Sequence, residues 1–305
     1  MTTPPSFRFQ FQPGETVRQG VRRLVGAWAT EVGLQGARLE EEPGEAVHAT
    51  RLILKRFRAL VRLVRSSLGA RRAKVENARL RRAARRLAAV REAVVLGRTL
   101  SSLGRELKGT EGARVRRVGR GMGMRGGGAG AGLRKAMGAA AAAAARTALA
   151  LEKSAGAWMG DGWAVLEAGL RRGYRRARRR YRAAKEEGTE KAFHDWRTAV
   201  KSLMYQMEGL APLGSRRMAR EVRALDGIQD RLGDEHDLTD FLGRIEADPG
   251  WVGGAGTARR VAAKARRRRE RLRREVLKAG GVVFEESPRQ FLARREAEWA
   301  RSRKR

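Results

Sequence analysis

Apolar positions along this chain recur at intervals of three and four, the spacing of one helix face, and period-two alternation is absent. In residues 47–65 Ile53, Phe57, Leu60, Val61 and Val64 form such a face. In residues 193–210 Phe193, Trp196, Val200, Leu203, Met204, Met207 and Leu210 form another. The pattern predicts helices over about 15–33, 45–68, 70–88, 89–108, 133–155, 159–186, 189–210, 214–231, 234–247, 256–278 and 288–300. Arg, Ala, Leu and Glu fill these stretches, and all four are good helix formers. Pro13-Gly14-Glu15 and Pro43-Gly44-Glu45 mark helix starts, each with an acid suited to the positive end of the helix dipole. Gly69, Gly188 and Gly214 mark breaks. The expected fold class is all-α.

Residues 119–132 (GRGMGMRGGGAGAG) read as a flexible glycine-rich linker. Gly121, Gly123 and Gly126 formally match a dinucleotide-binding fingerprint. That fingerprint works through a strand before it and a helix after it. Arg114-Val115-Arg116-Arg117-Val118 makes a poor strand, so no cofactor is expected. The two sides of the linker look alike. His48, Arg51 and Lys55 recur as His194, Arg197 and Lys201, each displaced by 146 residues. Val47, Phe57, Val61 and Val64 recur as Phe193, Leu203, Met207 and Leu210. Residues 86–92 line up with 231–237 at a displacement of 145. Two blocks in the same order at nearly equal offset imply a duplication. The expectation is two four-helix bundles, residues 1–118 and 133–305, related by a pseudo-two-fold axis with a basic groove between them.

Charge changes this picture. The 305 residues carry 68 Lys and Arg against 33 Asp and Glu, a net charge of +35. Such a chain seeks polyanions. His48, Arg51, Lys55, Arg58, Arg62 and Arg65 are spaced to share one stripe of a helix, apart from its apolar face. No acid occurs between Glu45 and Glu76 to compensate them, and like charges four apart repel. An anionic ligand is the expected compensation. In residues 171–182 eight of twelve are Arg. Tyr174, Arg178 and Tyr181 share a side there, which would turn a phenol and a guanidinium toward one ligand. Arginine's planar fork suits phosphate oxygens. The run Lys264–Arg274 lacks a sided pattern and reads as general electrostatic surface.

Other chemistry has little support. There is no Cys, which excludes disulfides and thiolate metal sites. His48, His194 and His236 lack metal-binding spacing, and the surrounding cations would repel a metal ion. They suit phosphate donors better, and no metal is expected. Glu40-Glu41-Glu42 read as solvated, and Glu296-Ala297-Glu298 lacks the following cation of a triphosphate-tunnel motif, so no enzymatic activity is expected. No signal peptide and no membrane span are expected: the first twelve residues hold no long apolar run, and Ala139–Ala145 is cut off by Arg146. The expected location is the cytoplasm.

These residues resemble the CHAD domain, the conserved-histidine α-helical domain. The resemblance rests on VHATRLILKRFRALVRLVRSSLG (47–69), GYRRAR (173–178), FHDWRTAVKSLMYQMEGL (193–210) and IQDRLGDEHDLTDFL (228–242), with 76–96 as the first-half counterpart of the last. It spans about residues 14–300. It implies paired helical bundles around a basic groove, inorganic polyphosphate as ligand, and association with polyphosphate granules. The implied ligand-binding residues are His48, Arg51, Lys55, Arg58, Tyr174, Arg175, Arg178, His194, Arg197, Lys201 and His236. Arg62 on the first stripe and Arg91 in the 76–96 block complete the candidate set. Glu92 stands where members carry Asp, Thr198 where a basic residue is common, and 119–145 looks inserted. Nucleic-acid binding is the alternative that composition permits, and an accessory role beside a polyphosphate-metabolising enzyme is a third.

Overall fold

The computed structural model describes residues 10–87, 99–107, 109–124, 131–155, 162–252 and 254–303. Its regular elements are all helical. They are α1 (Val17–Ala37), α2 (Pro43–Leu63), a single turn α3 (Arg65–Leu68), α4 (Ala70–Arg86), α5 (Gly109–Met124) and α6 (Ala131–Ala155). After these come α7 (Trp163–Glu187), α8 (Glu190–Leu210), α9 (Arg216–Ala247), α10 (Ala255–Val283) and α11 (Pro288–Ser302). Residues 99–105 are helical as well.

Local chemistry sets the starts. Thr16 with Gln19, and Ser287 with Gln290, form capping boxes for α1 and α11. Thr189 and Ser215 cap α8 and α9 through their hydroxyls. Pro43 opens α2, where a missing amide hydrogen does no harm.

Three expectations are corrected. The helices expected at 214–231 and 234–247 are one, α9. Leu225, Ile228, Leu232, Leu238, Phe241 and Leu242 form a continuous buried face across Gly233. That packing outweighs the ~1 kcal/mol that a mid-helix glycine costs. The helix expected over 45–68 breaks at Val64, between α2 and α3. The expected linker is partly helix: α5 runs through Met124 and α6 starts at Ala131, with 125–130 outside the described residues. Val115 anchors α5 in a small core with Leu103, Phe241, Ile245 and Val261.

α1, α2, α4 and α6 pack as a closed ring of four. α6 lies beyond the glycine-rich segment, so this group of helices ends at residue 155, not at 118. α7, α8, α9 and α10 pack in succession, α10 touches back on α7, and α11 covers α7. α2 lies against both α7 and α8, so one hydrophobic core runs through both groups, from Phe11 to Leu292. The two apolar faces read from the sequence are buried in it, each large side chain contributing ~1.5–3 kcal/mol. No helix among the described residues is long and apolar enough to cross a membrane.

α7 can approach α2 only because of Gly169, where a Cβ atom would lie 1.9 Å from the Leu63 carbonyl oxygen. One turn on, a Cβ at Gly173 would lie 2.3 Å from Gln206 Oε1. These two glycines bring α2, α7 and α8 together.

Candidate functional site: a cationic cleft between the helix groups

Where α7 crosses α2, the two groups leave a cleft of about 660 Å³. Its cations are Arg62 on α2, Arg65 on α3, Arg71 and Lys74 on α4, and Arg172 and Arg176 on α7. Among the described residues no carboxylate lines it. Helical spacing explains the grouping. Arg62 and Arg58 are the inner end of the α2 stripe, while Arg172 and Arg176 flank the glycine crossing.

The electrostatics are repulsive. Burial lowers the Arg62 pKa to about 9, helped by the charges of Arg58, Arg176 and Arg81. Arg58 is lowered by burial first, then by Arg81, Arg176 and Arg85. Arg172 is lowered by burial and by Arg65. Guanidinium keeps its proton throughout the physiological range, so the folded chain carries this repulsion. Arg62 has one neutral partner, donating to Ser202 Oγ at 3.0 Å. Asn77 and Gln206 also line the cleft. Asn77 Nδ2 donates to the Ala73 carbonyl at 3.0 Å, which leaves its Oδ1 without a partner. Gln206 is 1% exposed, and its Oε1 has no partner either.

The remaining candidates are dispersed. On α2, His48 is exposed, while Arg51 and Lys55 are half-buried. Arg51 donates to the Ala84 carbonyl of α4 at 2.9 Å. Arg91 lies outside the described residues. On α8, His194 is exposed and its ring lies 4.9 Å from that of His236 on α9. Arg197 lies over Gly233, 3.8 Å from where a Cβ would be. The His236 pKa is lowered, by burial first, against Asp240 and Asp237 and with Arg197 and His194. The Asp230 pKa is raised, by burial first and then by Asp226, with Lys201 opposing.

Tyr174, Arg175 and Arg178 lie apart from this cleft. Tyr174 is buried, with its ring stacked 4.0 Å from Phe291 and its hydroxyl donating to the Glu286 carbonyl at 2.9 Å. Burial pushes its pKa up to about 12. Arg178 donates from Nε to the Phe284 carbonyl at 2.9 Å. Tyr181 donates to the Leu277 carbonyl at 3.2 Å. This side of α7 clamps α10 and the turn into α11, and Tyr174 borders a separate cavity with Glu221, Glu285 and Glu286. Arg175 is exposed on a separate groove with Arg171, Arg289 and Glu296. The α7 residues that reach the cleft, Arg172 and Arg176, are on another face. The cue to that face is the Gly169/Gly173 pair.

The 264–274 run is held in ion pairs with other elements. Arg266 pairs with Glu246, Arg268 with Glu106, Arg269 with Glu190 and Arg273 with Glu235, at 2.6–3.2 Å. Among the described residues no three His, Asp or Glu are grouped to hold a metal ion.

The CHAD domain family model matches residues 19–246. Among solved structures, the CHAD domain from the plant Ricinus communis superposes with a TM-score of 0.66 at 15% sequence identity, covering 91% of this chain and 94% of that one. A search of curated proteins finds no match.

Proposed function

Since the chain belongs to the CHAD domain family, we propose that its central cleft binds inorganic polyphosphate, without catalysis, and can dock the chain to polyphosphate granules. One observation carries the reading. Six cations from both helix groups line a single cleft, with no carboxylate beside them among the described residues. Such a cleft is destabilised by its own charge and relieved by a chain of phosphates. The cation track is longer than the cleft, because Arg81 and Arg85 on α4 continue it past Arg58.

The pairing of α2 with α8 supports the reading of two related halves. Arg56 bonds Glu208 and Arg62 bonds Ser202. Displacing the first pair by 146 residues gives the positions of the second, which is the contact pattern of a two-fold axis. On this reading the ligand path passes close to the axis and engages the first helix group most strongly.

The test is binding of long-chain polyphosphate at two salt concentrations. Arg62→Ala/Arg176→Ala is expected to lose at least tenfold in affinity and to flatten the salt dependence. Arg267→Ala/Arg274→Ala removes two exposed cations from α10 and is expected to change little. Equal losses would mean that charge count alone governs binding. Duplex DNA displacing polyphosphate at equal charge would favour the nucleic-acid alternative.

A further inference from the structure

The cleft holds groups that a polyphosphate chain cannot use. Gln206 Oε1 and Asn77 Oδ1 are both buried acceptors without donors. The Asn77 orientation is fixed, because its Nδ2 already donates to the Ala73 carbonyl. Linear polyphosphate offers acceptor oxygens, so it leaves both amide oxygens unpaired, and a buried acceptor left unpaired is costly. Beside these amides the lining turns small and apolar. Ala70, Ala73 and Ala199 carry no functional groups. The cations and the amides thus share one cleft of about 660 Å³, which is in the range of small-ligand sites.

We propose that the same cleft takes adenine nucleoside polyphosphates, with the base on the alanine floor and the phosphates among Arg62, Arg172 and Arg176. This rests on the reading of the cleft as a phosphate site and adds a second ligand class to it. The base supplies what the phosphates lack. The exocyclic amine of adenine is a donor, and Gln and Asn amides pair with the amine and ring nitrogen of its edge. A planar ring lies flat over Ala70, Ala73 and Ala199, where a larger side chain would block it. An arginine at the rim can also stack on its π-face. The unpartnered Gln206 is then a specificity residue that accepts only from ligands carrying a donor.

The test compares ATP with tripolyphosphate, without added metal, by calorimetry on the full chain. The two have the same number of phosphates and differ in the nucleoside. ATP is expected to bind about tenfold more tightly, the discrimination of one good amide–base pair. Gln206→Leu is expected to bring ATP down to the level of tripolyphosphate while leaving tripolyphosphate unchanged. This variant removes a buried unpaired acceptor in favour of an apolar side chain, so it is expected to melt no earlier than wild type. Asn77→Leu, at a less buried position, gives the same readout should the first variant fail to fold. Equal affinity for ATP and tripolyphosphate, both lost in Arg62→Ala/Arg176→Ala, would overturn the nucleoside proposal and leave the phosphate reading standing. Tripolyphosphate and ATP binding that survives Arg62→Ala/Arg176→Ala would overturn both.

Discussion

The helix pairs α2/α4 and α8/α9 carry the same histidine–arginine–lysine spacing and opposite surroundings. On α4 the residues facing the stripe are cations, and Arg81 and Arg85 press on Arg58. The buried acid of α4, Glu76, turns away, pairing with Arg79 and accepting from Thr147 of α6 at 2.8 Å. On α9 the positions displaced by 145 residues from Arg81 and Arg85 are Asp226 and Asp230. Lys201 acts on Asp230 against the burial that raises its pKa, and Asp240 lies 3.5 Å from His236. One motif therefore faces cations in one pair and carboxylates in the other. A binding stripe is defined as much by the helix that faces it as by its own residues.

The comparison depends on α7 reaching across to the first pair, and this is where it breaks most easily. Gly169→Val puts a side chain into the Leu63 carbonyl and is expected to destabilise the fold by about 3 kcal/mol, at the upper end for overpacking. Chemical denaturation reads the loss. Unchanged stability would mean that α2 and α7 do not meet as closely as described.

Transplanting the charges is the next largest perturbation. Arg81→Asp/Arg85→Asp gives the first pair the acids of the second, and polyphosphate affinity is expected to fall at least tenfold. Asp226→Arg/Asp230→Arg gives the second pair the cations of the first. Affinity is expected to rise several-fold, and the salt slope to steepen by about 1.4, for two added phosphate contacts at about 0.7 each. If neither exchange moves the slope, the ligand does not track α4.

These contrasts show why part of the site was legible in the sequence and part was not. The apolar faces of α2 and α8 were readable because burial imposes a period. The α2 stripe was readable because no acid interrupts it. On α7, eight arginines in twelve residues populate every face, and counting them cannot tell which face turns inward. The choice is made by Gly169 and Gly173, whose effect is the absence of a side chain. Tyr174 and Arg178 drew attention as chemical groups, but their neighbours are backbone carbonyls of a segment more than a hundred residues away. The acids of α9 were visible in LGDEHDL. The approach of Asp230 to Lys201 needed the antiparallel register of α8 and α9, and Gly233 concealed that α9 is one helix.

The smallest expected effect concerns the histidine pair and tests whether the second seam is as compensated as its acids suggest. The folded His236 pKa is lowered from 6.5 by burial, with Arg197 and His194 adding repulsion and Asp240 and Asp237 opposing it. The unfolded chain therefore binds this proton more readily than the folded one. Stability from this group is intact above the unfolded value and is lost as pH falls from about 6.5 toward the folded value. The melting temperature of the ligand-free chain is expected to drop between pH 7.5 and 5.5, and His236→Gln to lessen that drop. A polyphosphate chain reaching this seam would reverse the sign. It would favour the protonated ring, so affinity would rise over the same interval and the His236→Gln variant would lose that rise. An affinity that ignores pH while the melting temperature follows it would confine the ligand to α2, α4 and α7, and leave the second seam as structure.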